Sequence, residues 1–566
     1  MRIVGLASNV HLSSAALLED GKVVAAAAEE RFSRQKHTRA FPHHALSYCL
    51  REAGVSLADV DCVAVSANPA IDLAKRSRRH SETIRYYPEA LYAIPNHLGA
   101  FADFSGDAMA QQLGVGDEAV EVFYVTHHLT HAANAFFWSR FPSAAILTVD
   151  GRGEDETATF AVGSGDELSI IRQVPYPHSL GLFYGSVTEH LGFRFDRDEW
   201  KLMGLAAYGE PEGPLYHRLR ELFELKPDGT FELDLGYFGY FLQPVNRACS
   251  SKFVSAFGPP RQPEQELTRH HKDLAAAAQR VLEEVLVHML GALHREVGNP
   301  RVAVAGGTFM NSVFNGKIER VTPFQEAFIS SCPDDSGTSI GAALYAHTVL
   351  KKQGRPEPQA HNYFGPAFDD RAIGQELALY KVPARRLENV EGYTAERLAQ
   401  GKLVGWFQGR MEFGQRALGN RSILADPRDA ANRDRVNGAV KFRESFRPFA
   451  PAVLSGDFRE YFDVQEVTGV PHMERTLPMR PEKRALIPAV VHVDGSARPQ
   501  TVTQDLNPRF HRLLTEFKKQ TGLGVLMNTS FNLNDEPIVC TPRDAIRTFY
   551  SSGLDVLVLG NHVLEK

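Results

Sequence analysis

Two separate stretches of the chain repeat one local pattern, in which a short apolar strand is followed by a polar turn and a hairpin. The first copy comprises the segments Arg2–Ala7, Ser14–Glu19 and 22–29, and the second comprises 145–150, 157–163 and 168–174. In the first copy, Asp20 and Gly21 stand between two apolar runs, which is a strong signal for a two-residue hairpin turn. The repeat predicts a duplicated α/β domain in the first part of the chain.

The length of the chain predicts more than one domain. It has 566 residues, whereas single hydrophobic cores stop growing at about 250–300 residues. The segment 351–362 is rich in Lys, Pro, Gln and Gly, a composition typical of a boundary between domains. Apolar spacing predicts helices over 274–296, 341–350 and 395–400 and strands over 302–305, 403–407 and 524–527.

Composition narrows the class of protein. Hydrophobic residues make up 43% and charged residues 23% of the chain, as in ordinary globular proteins. The net charge of -6 argues against an extended nucleic-acid surface, because phosphate backbones require a basic footprint. The five cysteines form no CxxC pair, which favours free thiols in a reducing compartment. No apolar run approaches the roughly 20 residues of a membrane span, so we expect a cytoplasmic protein without membrane or nucleic-acid partners.

Seven cations in the last third stand among glycines, aromatics and small polar residues. They are Arg410, Arg416, Arg421, Lys441, Arg443, Arg447 and Arg498, and the segment containing Asn528 and Ser530 follows them. The planar donor fork of arginine fits phosphate and carboxylate. Several such forks in one pocket predict a highly anionic ligand, such as a nucleoside triphosphate together with a second phosphorylated substrate. In the structural alternative, Arg416 and Arg421 bond the carbonyls at helix C-termini.

A histidine pair follows the apolar run 121–125. His127 and His131 are separated by four residues, so in a helix they share one face while His128 points elsewhere. Thr126 is placed to cap that helix through its hydroxyl. The pair therefore predicts two imidazole ligands for one metal ion.

Two aspartates extend this candidate metal site. Asp150 ends an apolar strand, and Asp335, next to Asp334, precedes the last helix of the region. Two imidazoles and two carboxylates suit Fe(II), Zn or Mn with an open coordination position. The alternative interpretation is a pair of surface histidines with two capping aspartates.

A further candidate site lies at the end of the strand 302–305. Gly306 and Gly307 follow this strand, and Asn311 opens the segment after it. Backbone amides at a glycine-rich turn from strand to helix can bind phosphate. These residues are therefore candidates for holding a nucleotide.

Together these motifs resemble the O-carbamoyltransferases of nodulation-factor and antibiotic biosynthesis, of the tobramycin carbamoyltransferase type, over nearly the whole chain. The matching segments are 11–18, 29–37, 127–132, 149–151, 201–209, 305–311, 335–338 and the cationic blocks of the last third. The resemblance implies a Kae1-like domain with the actin-like, duplicated RNase H-like fold over 1–350 and a YrdC-like α/β domain over 363–566. The segment 351–362 would link the two domains.

The resemblance also implies a two-step reaction. Carbamoyl phosphate and ATP, with Mg²⁺, would give carbamoyladenylate in the second domain, and the carbamoyl group would then pass to an acceptor hydroxyl in the first. By position, it implies carbamoyl phosphate and ATP ligands at Arg416, Arg421, Lys441, Arg447, Arg498, Asn528 and Ser530. It implies metal ligands at His127, His131, Asp150 and Asp335, with iron expected first, and nucleotide contacts at Gly306, Gly307 and Asn311. His11 would act as general base and Lys36 as electrostatic stabiliser at the transfer site.

Other functions use related domains. Hydrogenase-maturation carbamoyltransferases carry CxxC zinc motifs, which this chain lacks, and tRNA threonylcarbamoylation requires a basic RNA surface. A non-catalytic actin-like nucleotide sensor leaves the cation-rich region unexplained. The expected partners are carbamoyl phosphate and a small-molecule alcohol. Aromatic residues over 86–101 favour a macrolide or glycoside as the alcohol, with core packing as the alternative role for them, and a homodimer stays open.

Overall fold

The computed structural model describes residues 1–8, 11–68, 120–242, 247–444 and 446–566. The aromatic segment 86–101 lies outside the described residues. Contacts divide the chain into two compact units. The first unit comprises Met1–Ala26, Arg39–Asn311 and Ile318–Gln359, and the second comprises Ala27–Thr38, Ser312–Lys317 and Ala360–Lys566. The predicted linker 351–362 contains the point at which the chain passes from Gln359 to Ala360.

The first unit contains two five-stranded sheets. One sheet contains β1 (Arg2–Ala7), β2 (Ser14–Glu19), β3 (Lys22–Ala28), β4 (Cys62–Val65) and β5 (Glu121–Tyr124) in the order β3-β2-β1-β4-β5. The other contains β6 (Ser143–Val149), β7 (Glu156–Ser164), β8 (Glu167–Pro175), β11 (Arg301–Ala305) and β12 (Glu326–Ile329) in the order β12-β11-β6-β7-β8. A small antiparallel sheet pairs β9 (Phe223–Leu225) with β10 (Phe231–Leu233).

The two large sheets share one topology. In each sheet the first strand pairs antiparallel with the second, β1 with β2 and β6 with β7. On its other side the first strand pairs parallel with a later strand, β1 with β4 and β6 with β11, and a fifth strand continues this parallel part. The duplication predicted from the strand and hairpin pattern is therefore confirmed, whereas the Kae1-like assignment stays a prediction.

Helices fill the space around these sheets. They are His43–Ala53, His127–Trp138, Leu180–His190, Glu199–Ala206, Pro214–Arg220, Ser251–Phe257, Arg269–Val297, Ile318–Val321 and Thr338–Tyr345. Single 3₁₀ turns cover Leu57–Asp59, Leu235–Tyr237, Gly307–Met310 and Asp335–Gly337, and Ala346–Leu350 is a wide helical turn. The helix predicted over 274–296 is confirmed within Arg269–Val297. No helix among the described residues is long and apolar enough to cross a membrane.

The helix Thr338–Tyr345 packs against β1, β2, β4 and the helix His127–Trp138. Two glycines make the approach close enough for backbone contact. A Cβ atom on Gly341 would lie 1.9 Å from the Thr130 carbonyl oxygen, and one on Gly5 would lie 1.9 Å from the Ser339 carbonyl oxygen. Distances this short exclude any larger residue unless the helix moves.

The second unit is built on one eight-stranded mixed sheet with the order β13-β22-β21-β14-β15-β20-β16-β19. Its strands are β13 (Arg385–Arg386), β14 (Val404–Phe407), β15 (Arg421–Ala425), β16 (Ala450–Leu454), β19 (Gln500–Val502), β20 (Val525–Ser530), β21 (Val556–Leu559) and β22 (His562–Glu565). A separate pair joins β17 (Leu477–Pro478) and β18 (Ser496–Ala497).

Both faces of this sheet are covered. The helices of the unit are Glu30–Ser33, Ser312–Asn315, Asp370–Leu379, Val390–Ala399, Ala431–Val436, Phe458–Tyr461, Pro481–Arg484, Pro508–Thr521 and Pro542–Tyr550, with shorter turns at Asn437–Lys441, Ser455–Asp457 and Pro488–Val490. Along β20, Leu526 joins the core that contains the helix Pro508–Thr521, and Met527 joins the core that contains Pro542–Tyr550. Because side chains alternate along a strand, the sheet is buried on both sides. The predicted α/β class is confirmed, and the YrdC-like assignment stays a prediction.

Replacing Gly341 by alanine is expected to destabilise the first unit. The new Cβ meets a carbonyl oxygen at 1.9 Å, and overpacking of this kind costs about 1–3 kcal/mol. The matched control is Gly291→Ala in the helix Arg269–Val297, where the nearest heavy atom lies 3.6 Å away. The control is expected to gain about 0.5–1 kcal/mol from the better helix propensity of alanine. Urea unfolding of both variants measures the difference, and equal midpoints would contradict the close packing.

Candidate functional site

The helix His127–Trp138 brings two imidazoles to one point. The Nε2 atoms of His127 and His131 lie 3.1 Å apart, as expected for two ligands that approach one ion from adjacent directions at about 2.0–2.1 Å. His128 points elsewhere, and its Nδ1 lies 2.7 Å from the Thr148 hydroxyl. Burial and the two neighbouring histidines hold the pKa of His128 well below its usual range. The arrangement matches the predicted i,i+4 pair.

Two carboxylates complete the cluster. Asp150 Oδ2 lies 3.2 Å from His127 Nε2 and 2.9 Å from His131 Nε2. Asp335 Oδ1 lies 3.5 Å and 3.6 Å from the same two nitrogens. One ligand atom from each of the four residues falls within 4.8 Å of the others. The His131 side chain is fully buried, whereas those of Asp150 and Asp335 keep 13% and 11% of their surface exposed.

The charges of this cluster depend on one another. Burial and the charge of Asp335 oppose ionisation of Asp150, but hydrogen bonds with His127 and His131 outweigh them and lower its pKa to about 2. Burial opposes protonation of His127, but Asp335 and Asp150 hold its pKa well above the usual range. Protons on the imidazoles therefore balance the two carboxylates. A divalent cation can replace those protons, and the set of two nitrogen and two oxygen donors fits iron, zinc or manganese.

Local capping differs from the prediction for Thr126. Its side chain makes no capping hydrogen bond, and Glu154 takes this role instead, because both its carboxylate oxygens accept from the His127 backbone N–H, at 3.1 and 3.0 Å. Glu154 is distant in sequence, so no local pattern indicated it. Asp334 caps the following turn by accepting from the Ser336 N–H at 3.1 Å. Of the two adjacent aspartates, Asp335 lies in the cluster.

His11 lies beside the cluster and is held at two points. Its backbone N–H donates to Asp335 Oδ2 at 2.9 Å, and its ring Nδ1 lies 3.2 Å from Asp196 Oδ2. Arg39 Nη2 also donates to Asp196 Oδ2 at 3.2 Å. Burial opposes protonation of His11, but Asp196 and Asp335 outweigh it and raise the pKa to about 9.

The predicted glycine turn lies at the end of β11. Gly306 has a φ of 99°, and a Cβ there would lie 2.2 Å from the Val149 carbonyl oxygen. A Cβ on Gly307 would lie 2.9 Å from Asp150 Oδ1, so this turn covers the residue that also belongs to the metal cluster. Asn311 donates to Gln279 Oε1 at 2.8 Å. Its predicted contact with a nucleotide stays a prediction.

Lys36 lies in the second unit, whereas His11 lies in the first. The segment Ala27–Thr38 is fixed there by side chains that bind backbone carbonyls. Arg31 Nη2 donates to the Gly414 carbonyl at 2.8 Å, and Arg34 Nη1 donates to the Ile538 carbonyl at 2.6 Å. Burial lowers the pKa of Lys36, Glu30 and Asp535 oppose the shift, and Arg31 and Arg447 add to it. The charge of Lys36 therefore interacts with Arg447 and Lys441, two of the residues predicted to bind phosphate.

Lys441 ends the helical turn Asn437–Lys441 with its ammonium group buried. Its Nζ donates to Ser530 Oγ at 3.1 Å and to Asn532 Oδ1 at 2.6 Å. Burial holds the pKa of Lys441 well below its usual range, and the charges of Arg443, Arg447 and Lys36 add to the shift. The end of β20 thus fixes this cation close to others of the same sign.

The arginines of the second unit also disfavour one another's charged form. Burial holds the pKa of Arg498 well below its usual range, with further contributions from Arg416, Arg443 and Arg447. The pKa of Arg443 is held low by burial and by Arg447. A cluster of like charges partly removed from water is unfavourable by itself and becomes favourable when it binds a polyanion. Asn528 lies nearby in the sheet and donates to Gln500 Oε1 at 2.9 Å.

Arg421 differs from these arginines. Its side chain is fully buried over the Phe407 ring, with the guanidinium carbon 3.6 Å from the ring centroid. Its Nη1 donates to the Gln408 carbonyl at 2.6 Å and its Nη2 to the Pro366 carbonyl at 2.9 Å. These carbonyls lie in loops, not at the helix C-termini of the structural alternative, and the phosphate role predicted for Arg421 stays a prediction.

Comparison with known protein families finds two family models that match this chain. A family model described as carbamoyltransferase N-terminus matches residues 2–344, and one described as carbamoyltransferase C-terminus matches residues 395–566. The chain therefore belongs to the carbamoyltransferase family and is an enzyme of that family. The resemblance to O-carbamoyltransferases drawn from the motifs is confirmed.

Two relatives illustrate the range of the family. Nodulation protein NolNO of Sinorhizobium fredii is 39% identical over 98% of this chain and 79% of its own length. The 3'-hydroxymethylcephem-O-carbamoyltransferase of Streptomyces clavuligerus is 31% identical over 78% of this chain and 80% of its own length. Among solved structures, T. kodakarensis HypF overlaps 62% of this chain and 48% of its own at 13% identity, with a TM-score of 0.30. An overlap at that TM-score does not define a shared fold.

Removal of one imidazole is expected to abolish metal binding in the first unit. His131→Ala takes away a nitrogen that lies 2.9 Å from Asp150 and 3.1 Å from the other imidazole. Loss of a ligand lowers the affinity of such a site by at least about 10–100-fold, the loss typical of mutating a mere supporting residue. Elemental analysis after dialysis against iron, zinc or manganese measures the bound ion, and His217→Ala on another helix is the control. Equal metal content in both variants would exclude this cluster as the site.

The two kinds of arginine predict opposite effects on stability. Arg498→Gln is expected to raise or preserve the melting temperature without ligand, because it removes one of several mutually repelling cations. Arg498→Gln is also expected to reduce the rise in melting temperature that pyrophosphate causes. For the wild type, a hundredfold excess of ligand over Kd stabilises the folded state by about 2.7 kcal/mol. Arg421→Gln is expected to lower the melting temperature, since it leaves buried carbonyls without donors. Thermal scans with and without pyrophosphate would contradict this if both variants behaved alike.

Proposed function

We propose that this protein is an ATP-dependent O-carbamoyltransferase that forms carbamoyladenylate in its second unit and transfers the carbamoyl group to an alcohol in its first. The observation that carries the proposal is the pairing, in one carbamoyltransferase chain, of two sites of opposite charge. The second unit holds a cluster of repelling cations suited to phosphates. The first unit holds a His/Asp cluster suited to a divalent cation.

The first step needs cations to offset the charge of its reactants. Water attacks carbamoyl phosphate to release phosphate and leave carbamate. A carbamate oxygen then attacks the α-phosphorus of ATP, the bond to the β-phosphate oxygen breaks, and pyrophosphate leaves with Mg²⁺. Arg416, Arg447 and Arg498 neutralise the charge that moves onto pyrophosphate. Lys441, fixed by Ser530 and Asn532, holds its charge at one position during the transfer.

The second step carbamoylates the alcohol. The alcohol oxygen attacks the carbamoyl carbon, the bond from that carbon to the phosphate oxygen breaks, AMP leaves, and the hydroxyl proton passes to His11. His127, His131, Asp150 and Asp335 would hold a divalent ion, with iron first and zinc or manganese as alternatives, which supplies Lewis acidity when bound.

Two details of the proposal follow from the described residues and the relatives. The charge of Lys36 acts on Lys441 and is affected by Arg447, which supports a role toward the phosphates over the role at the acceptor implied by the resemblance. The acceptor is proposed to be a hydroxyl group of a natural product. One relative is named for 3'-hydroxymethylcephem and another for nodulation, and both names are compatible with a small hydroxylated molecule.

Two substitutions separate the half-reactions. Lys441→Ala is expected to lower pyrophosphate release from ATP and carbamoyl phosphate by about 10²–10³-fold, the usual loss when one preorganised charge-stabilising group is removed. His127→Ala is expected to keep pyrophosphate release and to lose carbamoyl transfer. Pyrophosphate is measured by a coupled assay, and transfer by mass spectrometry of macrolide, glycoside and cephem alcohols for the mass of one carbamoyl group. Lys402→Ala is the control for the lysine change, and equal loss of both half-reactions in both variants would refute the two-site proposal.

A further inference from the structure

We propose that Asp196 is a positioning residue for His11. It holds the imidazole by Nδ1, so that Nε2 is the nitrogen that receives the proton of the acceptor alcohol. The inference rests on the proposed function and adds to it a residue that does not touch the substrate. It arises from the placement of two carboxylates around one histidine.

The two carboxylates hold different parts of His11. Asp335 fixes the backbone, because its Oδ2 accepts from the His11 N–H at 2.9 Å. Asp196 fixes the ring, because its Oδ2 lies 3.2 Å from Nδ1. A side chain held at its backbone and at one ring nitrogen has little freedom to rotate about its two side-chain torsions. The remaining ring nitrogen then has a defined direction.

Asp196 is itself held in a constrained conformation. Its φ is 59°, in the left-handed region, which is uncommon for residues with a side chain although aspartate enters it more readily than most. Its backbone N–H donates to Glu199 Oε1 at 2.8 Å, and Arg39 donates to its Oδ2 at 3.2 Å. Glu199 starts the helix Glu199–Ala206, so a regular element supports the turn. Strained backbone conformations that the surrounding contacts maintain are common at functional sites.

A carboxylate at Nδ1 has a direct consequence for proton transfer. Arg39 Nη2 lies 3.4 Å from the same nitrogen, but the contact with the carboxylate is shorter at 3.2 Å. The carboxylate favours the proton on Nδ1 and so leaves Nε2 as the acceptor in the neutral ring. When the alcohol oxygen bonds to the carbamoyl carbon and AMP leaves, the hydroxyl proton moves to Nε2 and the ring becomes a cation. The negative charge of Asp196 stabilises that cation through the same contact.

Asp196→Asn tests the inference with little change in shape, because asparagine also tolerates positive φ. The expected result is a fall of about 10²-fold in kcat for carbamoyl transfer to the cephem, macrolide or glycoside alcohol that the wild type accepts. The KM for that alcohol and the release of pyrophosphate are expected to stay unchanged. In a His11→Gln background the same substitution is expected to cause no further loss, since Asp196 acts only through His11. Additive losses would overturn the proposal.

A spectroscopic measurement tests the contact between Asp196 and His11 without the alcohol substrate. In protein labelled with ¹⁵N-histidine, the His11 signals are assigned by their absence in His11→Gln. Asp196→Asn is expected to shift the His11 Nδ1 signal. Asp20→Asn is the matched control, since Asp20 also has a positive φ of 50° and is expected to leave that signal unchanged. An unchanged signal in Asp196→Asn would refute the inference, whereas absence of transfer by the wild type to any alcohol would count against the proposed function alone.

Discussion

The backbone contacts of one short helix determine whether the site of the first unit exists. The helix Thr338–Tyr345 begins next to Asp335, and glycine at position 341 lets its backbone touch the helix His127–Trp138. Gly337 makes a second close approach, since a Cβ there would lie 2.0 Å from the Cys332 carbonyl oxygen. Any side chain at these points would push the helix outward. Asp335 would then move away from the two imidazole nitrogens, which it now approaches at 3.5 and 3.6 Å. The geometry of the site therefore depends on glycines that have no chemical role in it.

The sequence predicted elements well wherever their signal is local. The duplicated hairpins, the long helix Arg269–Val297 and the strands β14 and β20 follow from apolar spacing and turn residues within a few positions. The i,i+4 histidines are also local, and their geometry was predictable. Glu154 and Asp196 were not predicted because each contacts its partner from a distant part of the chain. The placement of Ala27–Thr38 in the second unit rests on arginine bonds to carbonyls far along the sequence, which no periodicity indicates.

Arg421 and Arg498 show why residue type alone does not assign a binding role. Both stand among small and aromatic residues, and both were predicted to bind phosphate. Buried backbone carbonyls require donors, and Arg421 lies at the start of a central strand where several carbonyls converge. Arg498 is instead affected by three other arginines. The difference between the two arginines depends on which groups the folded chain places around each guanidinium. A local sequence motif does not contain that information.

The opposite charges of the two sites explain why one pocket would serve this chemistry poorly. Two unit charges at 4 Å interact by about 4 kcal/mol at an effective dielectric constant of 20. Carboxylates that bind a divalent cation would repel a triphosphate, and arginines that bind a triphosphate would repel the cation. In the first unit, protons on His127 and His131 balance the charges of Asp150 and Asp335 without a metal ion, whereas in the second unit the arginines disfavour each other's charge without a ligand. A chain with two units can contain both the carboxylate cluster and the arginine cluster, because the proposed partner of the first is a cation and that of the second is an anion.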